Sequence, residues 1–143
     1  MGLLSLLTSG QEGVFIMLVV TLIFSFSVHE FSHAYIAYRC GDLTAYYEGR
    51  LTLNPISHID PLGFLMILLA GFGWAKPVPV NPANFKNAKT DMIKVAIAGP
   101  LSNIILGIVG LLVYYGFHYI SPDFLSRTIK LFLYYFCIYN VIL

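Results

Sequence analysis

Charge is scarce in this chain of 143 residues, where 10% of side chains are charged against about 25% in ordinary soluble domains. With 58% hydrophobic residues, so little charge excludes a disordered chain and argues against a soluble domain. A basic surplus is also missing, the formal net charge being +1. Nothing is therefore available to neutralise phosphates on the scale that nucleic acid demands, and no nucleic-acid partner is expected. Cysteine is limited to Cys40 and Cys137, too few and too far apart for a disulfide framework or a CxxC metal knuckle. The opening MGLLSLLTSGQEG lacks a positive region and a small-residue cleavage site, so the apolar run that follows is expected to be a retained span. Internal repeats and low-complexity tracts are absent as well, which removes support for an inverted-repeat transporter.

What the chain has is apolar length. Its mean hydropathy is +0.79, and one membrane helix takes about 20 residues. A first span is expected from Gly13 to Tyr38, entering near Gln11 and leaving near Arg39, because the stretch is apolar and free of proline. The segment from Arg39 to Asp60 is polar, with turn signals at Gly41-Asp42 and Asn54-Pro55 and a short candidate strand at Leu51-Thr52-Leu53. PLGFLMILLAGF, from Pro61 to Phe72, is too short for a straight crossing and reads as a half-span packed on protein. Prolines and glycines from Gly73 to Thr90 exclude regular helix, and Val78 and Val80 between prolines suggest either an extended edge for an unwound substrate or a rigid loop.

A second full span is expected from about Met92 to Ile120, interrupted early by Gly99-Pro100, and a third from near Leu125 onward. The expected fold is thus an all-α polytopic membrane protein. It has about three full transmembrane helices, one half-span and a small irregular or strand-like cytoplasmic element, forming a single membrane-embedded core over residues 1–143. Arg39, Arg50, Lys76, Lys86, Lys89 and Lys94 lie in or beside the two polar segments flanking the half-span. By the positive-inside rule those segments are cytoplasmic and the N-terminus is outside.

The first span ends in His29-Glu30-Phe31-Ser32-His33, an HExxH pattern. Residues i and i+4 share a helix face, so two imidazoles can converge on one zinc ion with Glu30 beside it. A metal so held lowers the pKa of its water to about 7, and a neighbouring glutamate can take the proton as water attacks a peptide carbonyl. A chance pattern or polar side chains snorkelling from a span end is the alternative. It must explain two histidines and a glutamate kept together where each charged group costs on the order of 2.5 kcal/mol at the bilayer centre. Ser25, Ser32 and Tyr35 extend the polar stripe.

Four ordered segments carry a resemblance: SVHEFSHAYIAYRCGDLTA, RLTLNPISHIDPLG, GWAKPVPVNPANF and AIAGPLSNIILG. Over about Ser27 to Gly107 the chain resembles the site-2 protease family of intramembrane zinc metalloproteases, in its short bacterial-type form without a PDZ domain. The resemblance implies one zinc ion per active site, His29 and His33 as zinc ligands, Glu30 as catalytic base, and a transmembrane protein as substrate. It also implies a multi-pass protein of a prokaryotic inner membrane, in contact with the lipid bilayer, with the site toward the cytoplasmic side. Asn103 matches a polar family position; its role is either hydrogen bonding to a substrate backbone or an interhelical contact. The family's third ligand, an aspartate in a Leu-Asp-Gly motif, does not occur within these residues. Family members carry it a short distance beyond a segment like Tyr139–Leu143, so the core is expected to lack its C-terminal part. Within the chain, Asp60 is the substitute third ligand, or else it organises a turn before Pro61.

Two rivals stand beside the protease. One is a non-proteolytic metal-binding membrane protein, and the other an inactive family member that binds membrane segments. Trp74, His118 and the tyrosine pairs Tyr114-Tyr115 and Tyr134-Tyr135 are read as interfacial or packing residues.

Overall fold

The boundaries of the helices follow from local chemistry at each end. The computed structural model describes residues 3–120 and 127–143. Its helices are α1 (Leu4–Thr8), α2 (Glu12–Arg39), α3 (Thr44–Tyr47), α4 (Pro61–Ala70), α5 (Ala88–Ile120) and α6 (Arg127–Ile142), with single 3-10 turns at Pro55–Ser57 and Pro82–Asn84. Helix α2 closes in a Schellman arrangement. Asp42 N–H donates to the Ala37 carbonyl at 3.0 Å and Gly41 N–H to the Tyr38 carbonyl at 3.1 Å. Gly41 adopts φ 103°, and a Cβ there would press on the Asn84 carbonyl, so both conformation and space require glycine.

Helix α4 has its own start and stop signals. Asp60 caps it, accepting from Gly63 N–H at 2.7 Å, Pro61 follows in the first turn, and Gly71 ends it in the left-handed conformation. Helix α5 opens on a reciprocal cap in which Thr90 N–H donates to Asn87 Oδ1 and Asn87 N–H donates to Asp91 Oδ2. The expected interruption at Gly99-Pro100 does not occur, because α5 runs through Pro100. Proline removes one backbone donor there, and the packing of α5 against α2 along this stretch holds both halves in line.

Of the three full spans expected, two are present among the described residues. Glu12–Arg39 and Ala88–Ile120 are long and apolar enough to cross a membrane, each with a window of mean hydropathy 2.1. Helix α6 is described over 16 residues, Arg127–Ile142. The expected start of this span at Leu125 lies outside the described residues. The apolar segment expected as a half-span forms the short helix α4, ending at Ala70.

The strand-like element also differs from expectation. Leu51–Leu53 forms no strand, and among the described residues extended pairing is confined to an isolated bridge between Ile59 and Ala75. Lys76 N–H donates to the His58 carbonyl at 2.8 Å, but Pro77 and Pro79 have no N–H to carry a ladder further. Leu51–Leu53 runs directly into the Asn54-Pro55 turn, where the Asn54 side chain accepts from Ile56 N–H.

Helices α2 and α5 run antiparallel. His33 in α2 meets Val95, and His29, one turn earlier, meets Asn103, two turns later in α5. Gly99, Gly107 and Gly110 lie buried on the inner face of α5, where small residues let backbones approach. Helix α6 packs against both, its Cys137 Sγ directed at the Gly107 carbonyl. Leu18, Leu22 and Ile67 form one apolar cluster with Leu3, while Ala37, Phe85 and Val95 form another beside the polar segments. The outward faces carry Ile16, Val20 and Phe24 on α2 and Ile97, Ile104 and Leu112 on α5, all exposed. Exposure of apolar residues along both long helices suits lipid contact rather than water.

Asp42, read from sequence only as part of a turn, is fully buried and ties the proline-rich return segment to the end of α2. Its Oδ2 accepts from Asn81 N–H at 2.7 Å and its Oδ1 from Asn84 Nδ2 at 2.8 Å, with Thr44 supplying N–H and hydroxyl donors. Burial pushes this carboxyl up, and the hydrogen bonds from Thr44, Asn84 and Asn81 outweigh it, holding the pKa below its ordinary value. A depressed carboxyl contributes stability that is fully present above its unfolded pKa, 3.8, and lost as pH falls through the folded value. Asp42→Asn is therefore expected to cost about 1–3 kcal/mol at neutral pH by melting in detergent. The gap from wild type should narrow as the buffer is acidified below the unfolded pKa; a constant gap would contradict the assignment.

Candidate active site

Helix periodicity brings His29 and His33 onto one face of α2, their rings edge to face with centroids 4.7 Å apart. The opposing surface is Gly99 of α5. A Cβ built on Gly99 would collide with Nε2 of both histidines, so the two nitrogens converge on one point over a bare stretch of backbone. From sequence, Gly99 stood out as part of an expected interruption with Pro100. Its position against two ring nitrogens is visible only once α2 and α5 are docked.

Each imidazole is held from behind. His33 Nδ1 lies 2.6 Å from the Val95 carbonyl oxygen. A carbonyl can only accept, so Nδ1 carries the proton and Nε2 presents a lone pair toward Gly99. His29 Nδ1 lies 3.0 Å from the side-chain amide of Asn103, which is fully buried. Convergent Nε2 atoms, each backed by a hydrogen bond at Nδ1, are the donor set that a zinc ion takes from paired histidines. The residues present fit two positions of a zinc site.

Glu30 points to a different neighbour from its flanking histidines. Its buried carboxylate accepts from Val78 N–H at 2.9 Å through Oε2. Val78 belongs to the proline-rich return segment, which is fixed on either side. Arg50 Nη2 donates to the Lys76 carbonyl at 2.6 Å, and Asn81 N–H donates to Asp42. Val78 packs on Ala34 and Ala45, with Val80 and Leu51 alongside. The extended edge considered from sequence has its Lys76 and Val78 N–H groups already bonded within the chain, and the intervening prolines have none to offer.

The other sequence candidates lie as follows. Asp60 is occupied in capping α4, and among the described residues no group of three or more His, Cys, Asp or Glu side chains comes together. Asp60 is therefore not brought to the histidine pair. Ser25 is fully buried on α2, Ser32 bonds back to the Val28 carbonyl, and Tyr35 lies exposed beneath Arg39. The Cys40 thiol is pushed up by burial and by the Asp91 carboxylate. Val95, Gly99, Asp42 and the Val78 N–H were missed from sequence. Two of these act through backbone atoms, which carry no side-chain signature.

The chain is similar to proteins whose names state a zinc metalloprotease. It is 58% identical over 93 residues to "Putative zinc metalloprotease YwhC" of Bacillus subtilis, a match covering 65% of this chain and 42% of that protein. It is 34% identical over 102 residues to "Putative zinc metalloprotease Rip2" of Mycolicibacterium smegmatis, covering 68% of this chain and 39% of the relative. Rip2 of Mycobacterium tuberculosis matches at 34% identity over 103 residues. The relatives support a zinc metalloprotease family. The chain spans about two fifths of the length of these curated relatives. No family model matches the chain, and no solved structure matches it.

Gly99→Ala probes the cradle directly. The added methyl occupies the point on which both Nε2 atoms converge, so zinc affinity of the purified chain should fall on the order of tenfold or more. Helix content by circular dichroism should be retained. Undiminished zinc binding in this variant would place the metal elsewhere.

Proposed function

We propose that the chain forms the histidine-bearing half of an intramembrane zinc metalloprotease active site, which hydrolyses a peptide bond in or near a transmembrane segment of a membrane-anchored substrate. The observation that carries this reading is the convergence of His29 and His33 Nε2 on Gly99, with Glu30 between them in sequence and held by Val78. The metalloprotease names of the relatives and the two long apolar helices support it. The reading takes this to be a multi-pass protein of a prokaryotic inner membrane, with a lipid bilayer around it and a transmembrane protein as its substrate. The cations gathered around the half-span favour a site toward the cytoplasmic side and an N-terminus outside.

His29 and His33 would hold the zinc ion. The chemistry such an ion supplies when bound is acidification of water and polarisation of a carbonyl. Val78 N–H fixes Glu30 through Oε2 and leaves Oε1 to accept a proton from the attacking water. In this reading Glu30 then returns the proton to the leaving amine, which must be protonated to depart. A helical carbonyl is already hydrogen-bonded within its helix and shielded by it, so the substrate segment must unwind before attack. Helix-breaking residues near the scissile bond would lower that cost.

Glu30→Gln tests the mechanism with little change of shape, because the glutamine oxygen can still accept from Val78 N–H. Cleavage of a membrane-embedded reporter by the protein in liposomes should fall by at least a hundredfold, with zinc content unchanged. Unchanged cleavage would sink the protease reading. His33→Ala is expected to lose most of the bound zinc by elemental analysis, and retained stoichiometric metal would show that the ligands lie elsewhere.

A further inference from the structure

The two histidines are backed by partners of different chemical character. Behind His33 stands the Val95 carbonyl, which accepts and cannot donate. Behind His29 stands the Asn103 amide, whose two ends differ in what they impose on the ring. With Nδ2 at 3.0 Å from His29 Nδ1 and donating to it, the imidazole proton sits on Nε2 and covers the lone pair directed at Gly99. Asn103 Oδ1 is then buried with no hydrogen-bond partner among the described residues. Half a turn of the amide about its last bond places Oδ1 against Nδ1 and moves Nδ2 to where Oδ1 stood, so it changes what His29 receives and not how many amide atoms are bonded. Nδ1–H then donates to Oδ1, and Nε2 presents its lone pair beside that of His33.

We propose that Asn103 is a positioning residue that selects the metal-binding tautomer of His29, its amide oxygen accepting from Nδ1–H while Nε2 faces the cation. This rests on the zinc-site reading above and assigns Asn103 a place behind the ligand rather than on the substrate. Burial makes the selection effective. Asn103 is fully buried between α2 and α5 while its partner ring is half-buried, and the amide is the hydrogen-bond partner at His29 Nδ1. Val95 cannot substitute for it, because that carbonyl lies two helical turns away on α5, against His33. The asymmetry gives the site one rigid ligand and one whose readiness depends on the rotation of a single side chain.

The decisive comparison is zinc affinity, measured by competition with a chromophoric chelator, for the full chain as wild type, Asn103→Asp and Asn103→Leu. The aspartate keeps an acceptor for Nδ1–H, so N103D should bind zinc within about threefold of wild type or more tightly, whereas N103L should be about 10–100-fold weaker. Equal affinity in N103L and wild type would overturn the proposal, as would N103D binding as weakly as N103L. Absence of zinc binding in wild type would instead overturn the underlying site reading, and this inference with it. A second readout does not depend on either variant folding. In the zinc-loaded wild type, nitrogen-15 spectra should show His29 protonated at Nδ1, with that proton exchanging far more slowly than in an exposed imidazole. A rapidly exchanging or absent Nδ1–H at His29 would also overturn the assignment.

Discussion

The close approach of α2 and α5 at Gly99 is the constraint on which the rest of the site depends. A Cβ at that position would overlap the Nε2 atoms of both His29 and His33. Glycine there lets the Nε2 atoms of two imidazoles from one helix approach the backbone of another. Four residues earlier on α5, the Val95 carbonyl receives His33 Nδ1, and four residues later Asn103 meets His29 Nδ1. One helix face thus supplies the floor and both rear supports of the histidine pair. The spacing follows from the 3.6-residue repeat, since residues four apart in either helix stand nearly above one another.

A second set of interactions brings the proline-rich return segment to the same place. Asp42 binds its far end at Asn81 and Asn84, Arg50 holds Lys76, and Glu30 holds Val78. Three charged or ionisable side chains therefore fix a segment that cannot fix itself, because Pro77 and Pro79 remove the donors that a sheet would use. These bonds form in buried or half-buried surroundings, where an unpaired group is costly and a paired one is held firmly. In the proposed function the same contact that locates the segment also aims Glu30, so loop position and proton transfer share one hydrogen bond.

The helices themselves were largely legible beforehand. The apolar run ending at Arg39 has the length and lack of proline of a crossing helix, and α2 occupies it within one residue at either end. The apolar run from Pro61 to Phe72 contains α4, which Asp60 caps and Gly71 ends. The errors fall where local signals conflict with packing. Pro100 read as an interruption, and α5 passes through it because the neighbouring helix holds both sides in line. Leu51–Leu53 read as a short candidate strand, but a strand needs a partner with donors, and Pro77 and Pro79 in the proline-rich segment lack them.

For the site, the sequence by itself determined that His29 and His33 share a face, with Glu30 beside them, because helical spacing is a local property of the chain. Everything that turns that face into a cradle was decided by tertiary structure. Gly99 lies 66 residues beyond His33 in sequence, and no periodicity indicates that its missing side chain is the space into which two ring nitrogens point. Val95 acts through its carbonyl, which every residue possesses, and Val78 through its N–H, which every residue but proline possesses. Asn103 could be noticed as a polar residue in an apolar helix, yet its partner is set by the register between α2 and α5. That register is a matter of packed surfaces, which form only when the chain has folded.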